Sequence, residues 1–132
     1  MVPQKRMISP SLMLETIQTD RFKTEALSVT VAVPVSKDRS PLYALALSCL
    51  KRGTEKFPTQ GSIGKRLDEL YGAGLNLRSA RYENVNLFGF STELISEEYT
   101  DGKTDVFDGV LDIILQMLFH PLLDDDGNLL SQ

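Results

Sequence analysis

Ser40–Ala73, SPLYALALSCLKRGTEKFPTQGSIGKRLDELYGA, is the stretch whose reading decides the fold. Ser40 suits a helix N-cap, and Pro41 suits the first helical position, where its missing N–H costs nothing. Leu42, Tyr43, Ala44, Leu45, Ala46, Leu47, Cys49 and Leu50 then make the segment apolar on nearly every side. A helix of that composition is expected to be buried, with a sheet covering it. Burying those eight side chains would contribute ~10–20 kcal/mol gross, before entropy is subtracted. Lys51 and Arg52 suit the negative end of the helix dipole, and Gly53 is expected to supply a left-handed stop. A second helix is expected from near Thr59, with Ile63, Leu67, Leu70 and Tyr71 on one face, ending at Gly72.

Working outward, Ala26–Val35 alternates strictly, with Leu27, Val29, Val31, Val33 and Val35 opposite the small Ala26, Ser28, Thr30 and Ala32. That is period two with β-branched residues on the core side. The small face predicts close packing there too, and so an interior strand. Leu12–Ile17 reads as a short strand forming a hairpin with it. Downstream, Leu75–Tyr82 and Val85–Ile95 read as two strands joined at Glu83-Asn84, and Gly89 marks a bulge or a close backbone approach. Asp101 and Gly102 are expected to open a last helix. Val106, Val110, Ile113, Ile114, Met117 and Leu118 form its core face, and His120-Pro121 ends it. The predicted order is β-β-α-α-β-β-α: an α+β fold, a largely antiparallel sheet with helices packed on one face.

The 132 residues carry 42% apolar and 24% charged residues with a net charge of −4, as ordinary globular proteins do. No basic stripe stands out to neutralise phosphates, so nucleic acid is not an expected partner. No apolar run approaches the ~18 residues of a membrane span, and no apolar core follows the early Lys5 and Arg6 as in a secretory signal. One cysteine fits a reducing compartment, and a cytoplasmic location is expected.

Three short motifs carry a family resemblance. They are Arg52-Gly53-Thr54-Glu55-Lys56 with Phe57-Pro58, then Leu67-Asp68-Glu69-Leu70-Tyr71-Gly72-Ala73 with Leu75-Asn76, and Phe119-His120-Pro121. In order and spacing, from Phe22-Lys23-Thr24 to Leu123, the chain resembles the insulinase- or pitrilysin-type zinc peptidases. Active members carry an inverted zinc motif, His-x-x-Glu-His, on the first helix of the pair. The resemblance places Ala44 at the first His, Leu47 at the Glu and Ser48 at the second His. A catalytic zinc needs about three ligands from His, Glu, Asp or Cys. Ala44 and Leu47 have no lone pair to offer and Ser48 is a poor ligand. No catalytic residue, metal ligand or cofactor is therefore expected.

The family domain exceeds this chain in length and carries its third ligand, a Glu, on a later helix. Residues 1–132 thus read as one truncated insulinase-like domain, its N-terminal part. The resemblance implies a catalytically inactive domain serving as non-catalytic partner or structural half of a peptide-processing assembly. The alternatives are part of a zinc metallopeptidase whose catalytic site lies on another domain or subunit, and a stand-alone peptide-binding module. Expected partners are a second copy or a related active peptidase subunit, and an extended peptide. The peptide would add along Leu75, Asn76, Leu77, Arg78 and Ser79, the strand that takes substrate in active members.

Other candidates read more simply. Asp124-Asp125-Asp126-Gly127-Asn128 lacks the alternate acids and the closing Glu of a calcium loop, and reads as a solvated turn. His120 is expected to face the terminal carbonyls of its helix. Cys49, without a partnering base, reads as an inert thiol. Lys51, Arg52, Lys65 and Arg66 read as solvated helix faces paired with Glu55, Asp68 and Glu69.

Overall fold

In the computed structural model, which describes residues 2–128, the elements run β1 (Gln4–Ser9), β2 (Leu12–Thr16), β3 (Thr24–Pro34), α1 (Ser40–Leu50), α2 (Gln60–Glu69), β4 (Gly74–Tyr82), β5 (Val85–Ile95) and α3 (Val106–Phe119). From Leu12 onward this is the expected order, and one further strand, β1, precedes it. The fold is α+β with antiparallel sheets. β5 is the centre of a three-stranded sheet ordered β3-β5-β4, while β1 and β2 form a separate two-stranded sheet.

The core follows from the alternation along β5. Phe88, Phe90, Thr92 and Leu94 point to one face and are all buried. Against them pack Val106, Val110, Ile113, Ile114 and Met117 of α3, Leu47 of α1, and Ile63 and Leu70 at the two ends of α2. Tyr43 of α1 meets Phe88 with ring centroids 5.5 Å apart, a tilted pair. The Thr92 hydroxyl donates to the Gly74 carbonyl, tying the start of β4 to β5.

Two strand expectations are corrected. β2 pairs with β1, not with β3, through a register running from Gln4↔Thr16 to Ser9↔Leu12. The reason is local: Pro10-Ser11 closes a two-residue turn, as Pro favours, whereas the stretch between β2 and β3 is too long for a tight hairpin. Where an interior strand was expected, β3 stands at the edge among the described residues, pairing there only with β5. Its small face is exposed at Ala26, Ser28, Thr30 and Ala32. Among the described residues nothing covers that face.

The expected cap and stop of α1 also differ. Ser40 is the first helical residue and Arg39 the cap. Its hydroxyl accepts from the buried Asn86 amide at 2.7 Å, fastening the helix to β5. Gly53 has an ordinary negative φ. A Cβ there would lie 2.6 Å from the Pro58 carbonyl oxygen and 3.0 Å from Leu122, so close packing, not handedness, calls for glycine. The helix is not buried all round: Leu42 and Leu45 are each 61% exposed. Leu47 is its one fully buried side chain, so the gross burial expected for eight is not reached.

The start of α2 is where expected. Thr59 caps α2 in a reciprocal capping box with Ser62, their hydroxyl–amide bonds each 3.0 Å. Tyr71 and Gly72 turn the chain out of α2 with φ of 62° and 69°. α3 begins at Val106, later than expected, because Asp101 is spent on a turn, accepting from the Lys103 and Thr104 amides. Asp105 is the cap, accepting from the Asp108 amide at 3.0 Å. Its carboxyl, hydrogen-bonded to that of Asp108 and adding its charge, raises the Asp108 carboxyl above the ordinary value.

Candidate functional site

α1 carries the three motif positions on adjoining turns. Ala44 is exposed, Leu47 is in the core and Ser48 is half-buried. The Ser48 hydroxyl donates to the Ala44 carbonyl at 3.2 Å, back-bonding to its own helix. A catalytic zinc would need nitrogen or carboxylate donors at these places, and the side chains supply one hydroxyl already engaged. Among the described residues no three His, Cys, Asp or Glu side chains cluster as a metal-binding group. Cys49, one residue on, is half-buried with a free thiol. The donor set does not fit the metal.

The segment after α1 is brought against the end of α3. The Glu55 amide donates to the His120 carbonyl at 2.9 Å, and Thr54 bridges to Pro121. Thr54 is fully buried; its amide donates to the Phe57 carbonyl at 2.7 Å and its Oγ1 accepts from the Phe57 amide at 2.8 Å. Lys56 Nζ lies 2.6 Å from Asp112 Oδ2 on α3. His120 Nδ1 lies 3.8 Å from Glu55 Oε2. This corrects its expected place: the imidazole faces the Glu55 carboxylate and not the helix carbonyls. Two of the motifs therefore form one clasp, fixing where α1 hands over to α2.

The clasp yields a first prediction. Thr54→Val keeps the shape but leaves the half-buried Phe57 amide without its acceptor, a loss of about 1 kcal/mol or more. Urea unfolding should show that loss. Thr54→Ser, retaining the hydroxyl, should recover most of it. Lys56→Ala, breaking an exposed pair, should cost under about 1 kcal/mol.

Lys51, expected as a solvated charge, instead donates from Nζ to the Leu75 carbonyl at 2.9 Å. It pins the end of α1 to β4. Arg66 pairs with Glu69 at 3.3 Å. Nothing in the sequence pattern distinguished Lys51 from its basic neighbours.

β4 lies at the sheet edge opposite β3. Leu75 is buried, while Asn76, Leu77, Arg78 and Ser79 are exposed. Their register with β5 runs Leu75↔Thr92 to Ser79↔Phe88. Among the described residues the outer side of β4 pairs with no strand. Asp124, singled out with its neighbours, accepts on Oδ1 from the Asp126 and Asn128 amides, each at 2.9 Å. Gly127, with φ of 80°, completes that turn. The end of the aperiodic tail, residues 129–132, lies outside the described residues. Also among the described residues, no helix is long and apolar enough to cross a membrane.

Comparison with known proteins returns no matching family model. The chain is 28% identical over 111 residues to a Bacillus subtilis (strain 168) protein named probable inactive metalloprotease YmfF, covering 84% of this chain and 26% of that protein. Among solved structures it is similar to the crystal structure of a conserved protein from Enterococcus faecalis V583, at a TM-score of 0.85 and 21% identity. That likeness, one of fold, covers 93% of this chain and 29% of the other. The chain thus spans about a quarter of the length of the curated relative it matches.

Proposed function

We propose that this chain is part of a zinc-less, insulinase-type peptidase-like protein that works as the non-catalytic partner or structural half of a peptide-processing assembly. The observation that carries the reading is α1, a well-formed helix with Ala44, Leu47 and Ser48 at the motif positions and Leu47 committed to the core. The similarity to a probable inactive metalloprotease supports it. The role left to such a domain is to hold and orient peptide, and the outer edge of β4 is the surface for it. Backbone N–H and C=O groups there recruit an extended chain without special side chains. The catalytic subunit would be a related active peptidase.

The test joins metal content to amide protection. Purified protein dialysed against zinc should retain far less than one equivalent and leave quenched peptide substrates uncut. An extended peptide should slow hydrogen exchange at Leu75–Ser79. Stoichiometric tight zinc with zinc-dependent cleavage overturns the inactive reading. Unchanged exchange along β4 at saturating peptide overturns the binding edge.

A further inference from the structure

The hairpin of β4 and β5 fixes which backbone groups of β4 face outward. Tyr82 and Val85 pair across the two-residue turn Glu83-Asn84. Residues flanking such a turn exchange both ladder bonds, and bonded and non-bonded pairs then alternate along an antiparallel ladder. Counting back along the register, Ala80, Arg78, Asn76 and Gly74 turn their N–H and C=O toward β5. Leu75, Leu77, Ser79 and Arg81 turn theirs to the outer edge.

One of these outward acceptors is taken from within the chain. Lys51, just past the end of α1, donates from Nζ to the Leu75 carbonyl at 2.9 Å, in a part-buried bond. A strand adding there would bring an N–H to the same oxygen. An ammonium only donates, so it offers that N–H nothing and sets a positive charge against it. Lysine is among the side chains that keep strands off a sheet edge. We propose that Lys51 sets the register of the peptide on β4, closing the edge at Leu75 so that pairing runs over Leu77, Ser79 and Arg81. This rests on the reading of β4 as the peptide-binding edge, and it names the positioning residue that decides where pairing stops.

The test is amide hydrogen exchange, read residue by residue by NMR on the full 132-residue chain. The probe is a saturating ten-residue peptide alternating valine and serine, with blocked ends so that no peptide charge meets Lys51. In the parent, the Leu77 and Ser79 amides should slow by about tenfold or more while the Leu75 amide stays within about twofold of its rate without peptide. In Lys51→Met the slowing should extend to Leu75. Lys51→Arg, which keeps a cationic donor at that carbonyl, should keep the parent pattern. Slowing of Leu75 in the parent as great as that of Leu77 overturns the register and leaves the edge standing. A Lys51→Met protein whose protection still begins at Leu77 overturns it in the same way. No slowing at Leu75, Leu77 or Ser79 in parent or variant overturns the β4 edge itself, and the register with it.

Discussion

Gly89→Ala is expected to destabilise the protein by about 3 kcal/mol or more, and Gly89→Val to prevent folding. Gly89 lies at the middle of β5, opposite Thr30 of β3 and Arg78 of β4. A Cβ built there falls against the Val29 carbonyl oxygen and 2.8 Å from Thr30 Cα. Those atoms are backbone and belong to the ladder itself, so they cannot swing aside. β3 would have to withdraw from β5, giving up inter-strand bonds and the cover its Leu27, Val29 and Val33 give the core. Gly109→Ala provides the contrast. There a Cβ meets Leu70 Cδ2 at 2.6 Å and Cδ1 at 3.0 Å, the ends of a rotatable side chain. Alanine also gains about 1 kcal/mol over glycine inside a helix. The net change at Gly109 should stay within about 1 kcal/mol. Paired urea titrations with equal m-values would show the difference.

The need for glycine at position 89 was legible in the strand pattern, and the identity of its neighbour was not. Periodicity placed β4, β5 and the core face of α3 because each carries its signal within its own span. Pairing is non-local, so β3 could be given a face but not a partner. Its small residues fit both a covered interior strand and a bare edge, and only the topology separates the two. The same limit governed β2, whose apolar run fits a hairpin with either neighbour. The Pro10-Ser11 turn is the sequence signal for β1, whose Lys5-Arg6-Met7-Ile8 lacks alternation. On α1, composition over-predicted burial. Leu42 and Leu45 show that a helix can be apolar on a face that nothing among the described residues covers.

The candidate site was legible in its residue types and opaque in its contacts. Which side chains stand at the three motif positions is a fact of sequence, whereas their packing is not. Glu55 and His120 lie far apart along the chain, and no spacing rule would pair them. They meet because Thr54 bridges Pro121 and Lys56 reaches Asp112, so that the loop runs along the end of α3. The motifs that suggested a peptidase are, in this fold, a structural fastening. That fastening uses no metal-binding side chain on α1.

Restoring the glutamate of the motif is correspondingly expected to fail by folding before it fails by chemistry. Leu47 is 7% exposed and belongs to the cluster that includes Phe88 and Phe90. Leu47→Glu removes a buried apolar side chain and sets a carboxyl among those neighbours, a change expected to cost at least about 3 kcal/mol. Lys51, one turn on, is the nearest cation along the helix, and its Nζ is held by the Leu75 carbonyl. Pairing with it would exchange one contact for another and loosen α1 from β4. Burial raises the new carboxyl's pKa above its unfolded value of about 4.3. The penalty is therefore smallest below that value and grows as pH rises through the folded one. Urea midpoints of Leu47→Glu against the parent should diverge from pH 4 to pH 8, and Leu47→Gln, which cannot ionise, should show no such divergence. Ala44→His and Ser48→His, at an exposed and a half-buried position, should each fold normally. A Leu47→Glu protein as stable as the parent at pH 8 would mean that α1 still has room for the metal motif.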